Sequence, residues 1–164
     1  MSINNVLGSP EAFLDQIMFN LARDSIDVSN FPLDHICYRV ENVISYSLLK
    51  GDLSSIGTLL TEAVIGGRPI STFRLQKPII YKERNIWLVE LPAPKQGKPF
   101  TEGYEHAEFV IDMQFQDFMA LYSRVPFQTT GMHKERNPDI ERSYDGVNVK
   151  FHYQPLDKVI EEEK

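Results

Sequence analysis

The chain has 164 residues, of which 42% are hydrophobic and 24% are charged, and its formal net charge is −6. The length suits one domain or two small modules, and the ordinary composition excludes collagen, coiled coil and disorder. The acidic balance excludes a generally basic nucleic-acid surface, the single Cys37 excludes an internal disulfide, and no apolar run is long enough to cross a membrane. We therefore expect a cytoplasmic protein that binds neither nucleic acid nor membrane.

The first half of the chain is predicted to form two helices and four strands. Apolar residues at helical spacing, with Ser9 as the cap before Pro10, predict a helix over residues 10–23. Asn42 is expected to cap the second helix, and Gly66-Gly67 predicts a tight turn. Alternating stretches bounded by turn residues predict strands over residues 35–40, 58–65, 68–75 and 86–91.

The same order of elements begins again after a stretch rich in proline and glycine, residues 92–103. A strand over residues 104–111 is followed by a helix around Phe118 and by two weaker extended stretches, near Phe127 and Ile140. A final strand and a short terminal helix complete the chain, and the final strand is predicted over residues 147–153.

We therefore predict an α+β fold in which two βαβββ modules form one curved mixed sheet, a cup-like half-barrel, with an N-terminal helix. The N-terminal helical segment is predicted over residues 1–33, the first module over 34–94 and the second module over 95–164. All three are expected to belong to one structural domain.

A short repeat relates the two halves at their first and last strands. The first strands begin with an acid and a histidine, Asp34-His35 and Glu105-His106, and carry an aromatic residue three positions after the histidine. In the last strands, Glu90 is aligned with His152.

Alternation in these four strands separates an apolar face from a polar face. The apolar face is expected to pack beneath the helices. The polar face carries side chains that ionise or can bind a metal ion, namely His35, Cys37, Arg39, Glu90, His106, Glu108, Lys150 and His152. If the sheet curls into a cup, the histidines and Glu90 converge on one divalent transition-metal ion such as Zn, Fe, Mn or Ni. If the face is open to solvent, the same residues are an ordinary polar surface.

Six short blocks of the chain, in order, resemble the YecM-like proteins of the vicinal-oxygen-chelate group. That group includes glyoxalase I, extradiol dioxygenases and bleomycin-resistance proteins. The blocks are residues 34–39, 65–70, 89–92, 102–106, 136–138 and 149–152. The resemblance implies paired βαβββ modules around a metal ion, with ligands on the first and last strand of each module.

The resemblance also implies roles for individual residues. His35 and Glu90 would be metal ligands of the first module, and His106 a ligand of the second. His152 lies where glyoxalase-type enzymes have a second carboxylate, so it is predicted as the fourth ligand or as a catalytic proton-transfer group. The structural alternative for His35 and His106 is a core side chain that hydrogen-bonds the backbone, and for Glu90 it is an ion pair at a strand end. The alternative for His152 is a group that contacts a metal ligand or faces the substrate.

Other polar residues are candidates for catalysis or for substrate binding. Glu108 is predicted as a catalytic acid or base, with an ion pair to Lys150 as the alternative. Arg68, Arg39 and Lys150 are predicted to bind an anionic group of the substrate, and a structural ion pair is the alternative for Arg68. His133 is expected at the surface or rim.

The leading functional hypothesis is a divalent-metal-dependent enzyme, an isomerase, lyase or oxygenase, that chelates the oxygens of a small metabolite. The alternative is a non-catalytic module that binds and sequesters a small molecule, and a weaker one is a metalloprotein acting through a protein partner. The expected ligand is a small molecule, and a homodimer is allowed. The sequence identifies neither the substrate nor the metal.

Overall fold

The computed structural model describes residues 1–98 and 100–164, which form helices, strands and one 3-10 helix, Thr130–His133. The helices of this part are α1 (Ile3–Val6), α2 (Glu11–Arg23), α3 (Val43–Ile56), α4 (Phe115–Leu121) and α5 (Leu156–Glu162). The strands are β1 (Leu33–Arg39), β2 (Gly57–Ile65), β3 (Arg68–Tyr81), β4 (Arg84–Pro92), β5 (Gly103–Val110), β6 (Asp139–Tyr144) and β7 (Val147–His152). The predicted α+β class, with mixed strand pairing and an N-terminal helix, is confirmed. None of the described helices is both long and apolar enough to span a membrane.

The chain divides into two compact units. The first unit contains residues 1–11 and 35–105, and the second contains residues 12–34 and 106–164. In the first unit the strands lie in the order β2-β3-β4-β1, with antiparallel pairing except between β4 and β1, which are parallel. In the second unit the order is β5-β7-β6, with β5 and β7 parallel and β7 and β6 antiparallel. The segment boundaries predicted from the sequence stay a prediction.

Local sequence signals explain how the first unit is built. Asn42 caps α3, because its side-chain oxygen accepts a hydrogen bond of 2.8 Å from the Ser45 backbone N–H. Gly66 and Gly67, with φ of +61° and +82°, form the predicted two-residue turn between β2 and β3. Gly57 leaves room for the neighbouring strand, since a Cβ there would lie 2.7 Å from the Arg74 carbonyl oxygen.

The second unit has one strand fewer than predicted. The extended stretch near Phe127 is reduced to a single bridge, in which Gln128 and Glu141 exchange backbone hydrogen bonds of 2.7 and 3.0 Å. The Phe127 ring instead joins an aromatic cluster, with its centroid 5.7 Å from that of Phe118 and 6.1 Å from that of Phe151. Packing of this ring therefore takes the place of strand pairing.

Most of the predicted apolar face forms the buried core, although Tyr38 and Tyr153 are only half-buried. Its fully or nearly fully buried members include Ile36, Val40, Val89, Leu91, Ala107, Phe109, Ile111, Val149 and Phe151. Trp87, from the same set of positions, is 40% exposed. It lies between the pairs Arg74–Leu88 and Ile79–Ile86, where the register of β3 against β4 shifts and the regular alternation of faces is lost.

We expect Asn42→Ala to lower the free energy of unfolding by about 1 kcal/mol, because one backbone N–H at the start of α3 loses its acceptor. Asn42→Asp keeps an acceptor at this exposed position and should retain most of the stability. Urea denaturation followed by circular dichroism compares the three proteins. Equal losses for the alanine and aspartate variants would show that capping does not stabilise this helix.

Candidate functional site

In the first unit, strand register brings the predicted site residues of β1, β3 and β4 to one face. Cys37 of β1 is directly opposite Glu90 of β4, and Glu90 is opposite Thr72 of β3. His35 lies two residues before Cys37, and Arg39 lies two residues after it, so both share its face. Arg68 shares the face of Thr72 for the same reason. Alternation in the sequence predicts this grouping.

His35 and Glu90 form the first pair of candidate metal ligands. A ring nitrogen of His35 and a carboxylate oxygen of Glu90 lie within 4.8 Å of each other. His35 is fully buried and Glu90 is half-buried. Because both are on paired strands, their separation is fixed by the backbone rather than by a mobile loop.

The second unit carries its polar residues on β5 and β7. Glu108 of β5 is opposite Lys150, and Val110 is opposite His152. His106 lies two residues before Glu108, so the four polar residues share one face. Lys150 is also opposite Glu141 of β6, and the two charged groups are 4.0 Å apart.

The strand register gives a different alignment of the last strands of the two halves from the one that the sequence suggested. In the first unit, Glu90 is opposite the residue that lies two positions after the first-strand histidine. The corresponding position of the second unit is Lys150, and His152 lies two residues further along β7. The sequence alignment of Glu90 with His152 is therefore wrong by two residues. A shift of two keeps every side chain on the same face, so alternation alone did not reveal it.

Glu108 lies between two histidines in the buried part of the second unit. One of its carboxylate oxygens is 3.2 Å from Nε2 of His106, and the other is 3.7 Å from Nδ1 of His152. All three residues are at least 96% buried, with exposures of 3% for His106, 4% for Glu108 and 0% for His152. Removing a carboxylate from water costs free energy unless positive charge lies beside it. A proton on imidazole or a metal ion supplies that charge.

His152 is oriented by residues on both sides of its ring. Nδ1 is 2.8 Å from the side-chain oxygen of Asn137, which can only accept, so the Nδ1–H donates. Nε2 then faces a carboxylate oxygen of Asp34 at 3.5 Å. Asp34 is held in turn, since the same oxygen accepts a hydrogen bond of 2.9 Å from the Leu156 backbone N–H. This arrangement fixes the tautomer and leaves Nε2 as the atom that can bind a proton or a metal ion.

The side chains of both units offer the donor set that a transition metal requires. Each unit pairs an imidazole nitrogen with a carboxylate oxygen, and these are the ligands that iron, manganese, nickel and zinc accept. The buried His and Glu side chains of the structure could therefore hold a metal ion.

The remaining predicted residues occupy distinct places. Arg68 is buried, with 8% exposure. The Nε atom of Arg39 is 3.3 Å from a carboxylate oxygen of Glu105, and its guanidinium lies 4.3 Å above the centre of the Phe100 ring. His133 is exposed in the 3-10 helix, as expected for a surface residue.

Two residues that orient His152 were not assigned a role from the sequence. Asp34 carried a signal, because an acid precedes the first-strand histidine in both halves. Asn137 carried a weaker one, since it lies in the block 136–138 that resembles the YecM-like proteins. Neither signal indicates that the side chain contacts His152 from a distant part of the chain.

Comparison with known proteins identifies the family. The family described as "YecM protein" matches residues 2–163. The chain belongs to the YecM family. Among the curated relatives, an uncharacterised protein of Haemophilus influenzae is 31% identical over 106 residues, which are 64% of this chain and 56% of that protein. Protein YecM of Escherichia coli K12 is 32% identical over 89 residues, 54% of this chain and 47% of that protein. The chain thus spans about half the length of the curated relatives it matches.

Two solved structures share the fold of this YecM family member. "Structural Genomics, Protein EC4020" superposes with a TM-score of 0.77 and 24% identity, and the match covers 91% of this chain and 86% of that one. A hypothetical protein, BH1468 from Bacillus halodurans C-125, has a TM-score of 0.51 and 17% identity, with 77% and 96% covered. At these identities the likeness concerns the fold alone.

We expect Asn137→Ala to change the tautomer of His152, because the ring loses the acceptor that keeps hydrogen on Nδ1. Nitrogen-15 NMR of the imidazole should report an Nδ1–H form in the unchanged protein and a larger Nε2–H fraction in the variant. Asn137→Asp retains an acceptor and serves as the control. An Nε2–H tautomer in the unchanged protein would contradict the assignment.

Proposed function

We propose that the chain binds a divalent transition-metal ion through a histidine–glutamate pair, for which His35 with Glu90 in the first unit and His106 with Glu108 in the second are the candidates. The observation that carries this proposal is the presence in each unit of its own histidine–glutamate pair, held on strands and largely removed from solvent. A buried pair of this kind destabilises the fold without compensating positive charge, and a bound metal ion would provide that charge.

His152 is proposed as a proton-transfer group rather than as the fourth ligand. Glu108 is closer to His106, at 3.2 Å, than to His152, at 3.7 Å, which favours Glu108 as the carboxylate ligand. With its Nδ1–H donated to Asn137, His152 would accept a substrate proton at Nε2. The carboxylate of Asp34, 3.5 Å from Nε2, would stabilise the resulting imidazolium.

The proposed reaction belongs to the isomerase, lyase or oxygenase type, on a small metabolite with neighbouring oxygens. A bound divalent ion would polarise a substrate oxygen, which is the chemistry of the vicinal-oxygen-chelate group. The sequence blocks that resemble this group, together with YecM membership, support the assignment. We also propose a cytoplasmic location, which suits the buried thiol of Cys37, since Cys37 is not part of a disulfide.

Untagged protein is expected to bind about one equivalent of divalent metal per chain, because an imidazole and a carboxylate on rigid strands are suitable transition-metal ligands. His35→Ala or His106→Ala, whichever removes the imidazole that binds the ion, should lower the stoichiometry measured by elemental analysis at least severalfold. His133→Ala, at an exposed position, should leave it unchanged. Circular dichroism confirms that each variant is folded. Full stoichiometry in the folded His35 or His106 variants would remove these residues from the ligand set.

Replacing the proton-transfer group should separate turnover from metal binding. We expect His152→Gln to lower kcat by about a hundredfold or more, with little change in metal content, because glutamine cannot accept the proton. The assay is metal-dependent conversion of a dicarbonyl, a catechol or a 2-oxo acid. If these compounds bind but none is converted, the protein is the non-catalytic binding module. If metal is lost with the side chain, His152 is a ligand after all.

A further inference from the structure

Two arginines occupy the same face of the first unit, near the end of β1 and at the start of β3. Arg39 lies two residues after Cys37, which is opposite Glu90, and Arg68 lies four residues before Thr72, which is also opposite Glu90. Even spacing along each strand keeps both arginines on the face that carries Glu90.

Both arginines have a buried N–H group with no hydrogen-bond acceptor in the described part of the chain. For Arg68 this group is Nε, and the whole residue is only 8% exposed. For Arg39 it is Nη1, although Nε of the same guanidinium is 3.3 Å from Glu105. A buried charged donor without an acceptor destabilises a protein, so two of them on one face require an explanation.

The surrounding charges indicate which kind of group would accept hydrogen bonds from these two N–H groups. Burial, and after it the positive charge of Arg39, lowers the pKa of the Arg68 guanidinium. Cys37, Glu90 and Glu105 act in the opposite direction but do not reverse the shift. A small anion between the two guanidinium groups would accept from both free N–H groups and offset their mutual repulsion.

We propose that Arg39 and Arg68 bind the anionic group, a carboxylate or a phosphate, of the protein's small-molecule ligand. The substrate is then a small acid, and its charged end is held on the face that also carries His35 and Glu90. The assignment of this ligand as the substrate rests on the proposed function. Binding of the anion itself does not require the metal.

The anion site can be tested on metal-free protein, prepared by chelation and exhaustive dialysis. Orthophosphate and acetate are titrated separately, with sodium chloride at matched ionic strength, while nitrogen-15 NMR follows the arginine Nε–H signals. The Arg68 signal is assigned by its loss in Arg68→Met. We expect it to shift in a saturable manner with at least one of the two anions, and the tighter anion identifies the charged group. If neither anion causes a saturable shift, the proposal is wrong, whatever the metal experiments give.

Substitution distinguishes a binding site from a structural ion pair. Arg39→Met and Arg68→Met should each weaken anion binding, measured by calorimetry, by about tenfold or more, since each removes a charged donor. Arg124→Met, at an exposed position of the second unit, should bind as the unchanged protein does. The ligand-free Arg68→Met protein should unfold at the same temperature or higher, whereas loss of a structural ion pair would lower it.

Should Arg68→Met fail to fold, Arg68→Lys preserves the charge but removes the Nε–H group. It should still lose about tenfold in affinity, because lysine cannot supply the planar pair of donors. Unchanged affinity in every folded Arg68 variant would overturn the assignment.

Discussion

Parallel pairing between the first and the last strand of each unit is the constraint on which the candidate chemistry depends. β1 lies beside β4, and β5 lies beside β7, although a helix and further strands separate them along the chain. Parallel neighbours require such a long crossover. They also place side chains from distant segments in fixed rows. His35 and Glu90 are brought together in this way, and so are Glu108 and His152.

The polar side chains in these rows are largely buried, and burial determines which interactions they need. His35 and His152 are fully buried, and Glu108 is nearly so. In such surroundings an imidazole or a carboxylate is stable only when its neighbours supply hydrogen bonds or charge, as Asn137 does for Nδ1 of His152. Groups arranged in this way stabilise a fold less than apolar side chains of equal size would, and natural proteins commonly accept that cost at functional sites.

The sequence predicts the strands, the caps and the shared faces because these depend on local signals. Alternation places His106 and Glu108 on one face, and the glycine pair between β2 and β3 indicates its own turn. Register is different, since a shift of two residues changes the partner of every side chain without changing its face. For this reason the sequence aligned Glu90 with His152, whereas the strands place Lys150 in the equivalent position. Contacts such as that of Asn137 with His152 depend on tertiary packing and carry no periodic signal.

Each unit contains a candidate pair of metal ligands, a histidine and a glutamate, but the glutamate comes from a different strand in each. In the first unit the carboxylate comes from the last strand, as Glu90, whereas in the second it comes from the first strand, as Glu108. Because Glu108 supplies the carboxylate beside His106, the candidate ligand pair of the second unit needs no carboxylate from its last strand. His152 lies two residues beyond the position equivalent to Glu90 and is oriented by Asn137, and the proposed proton transfer uses this residue of the last strand. The two repeats have therefore diverged in which strand carries the carboxylate, and the proposed proton transfer depends on a residue of the second unit alone.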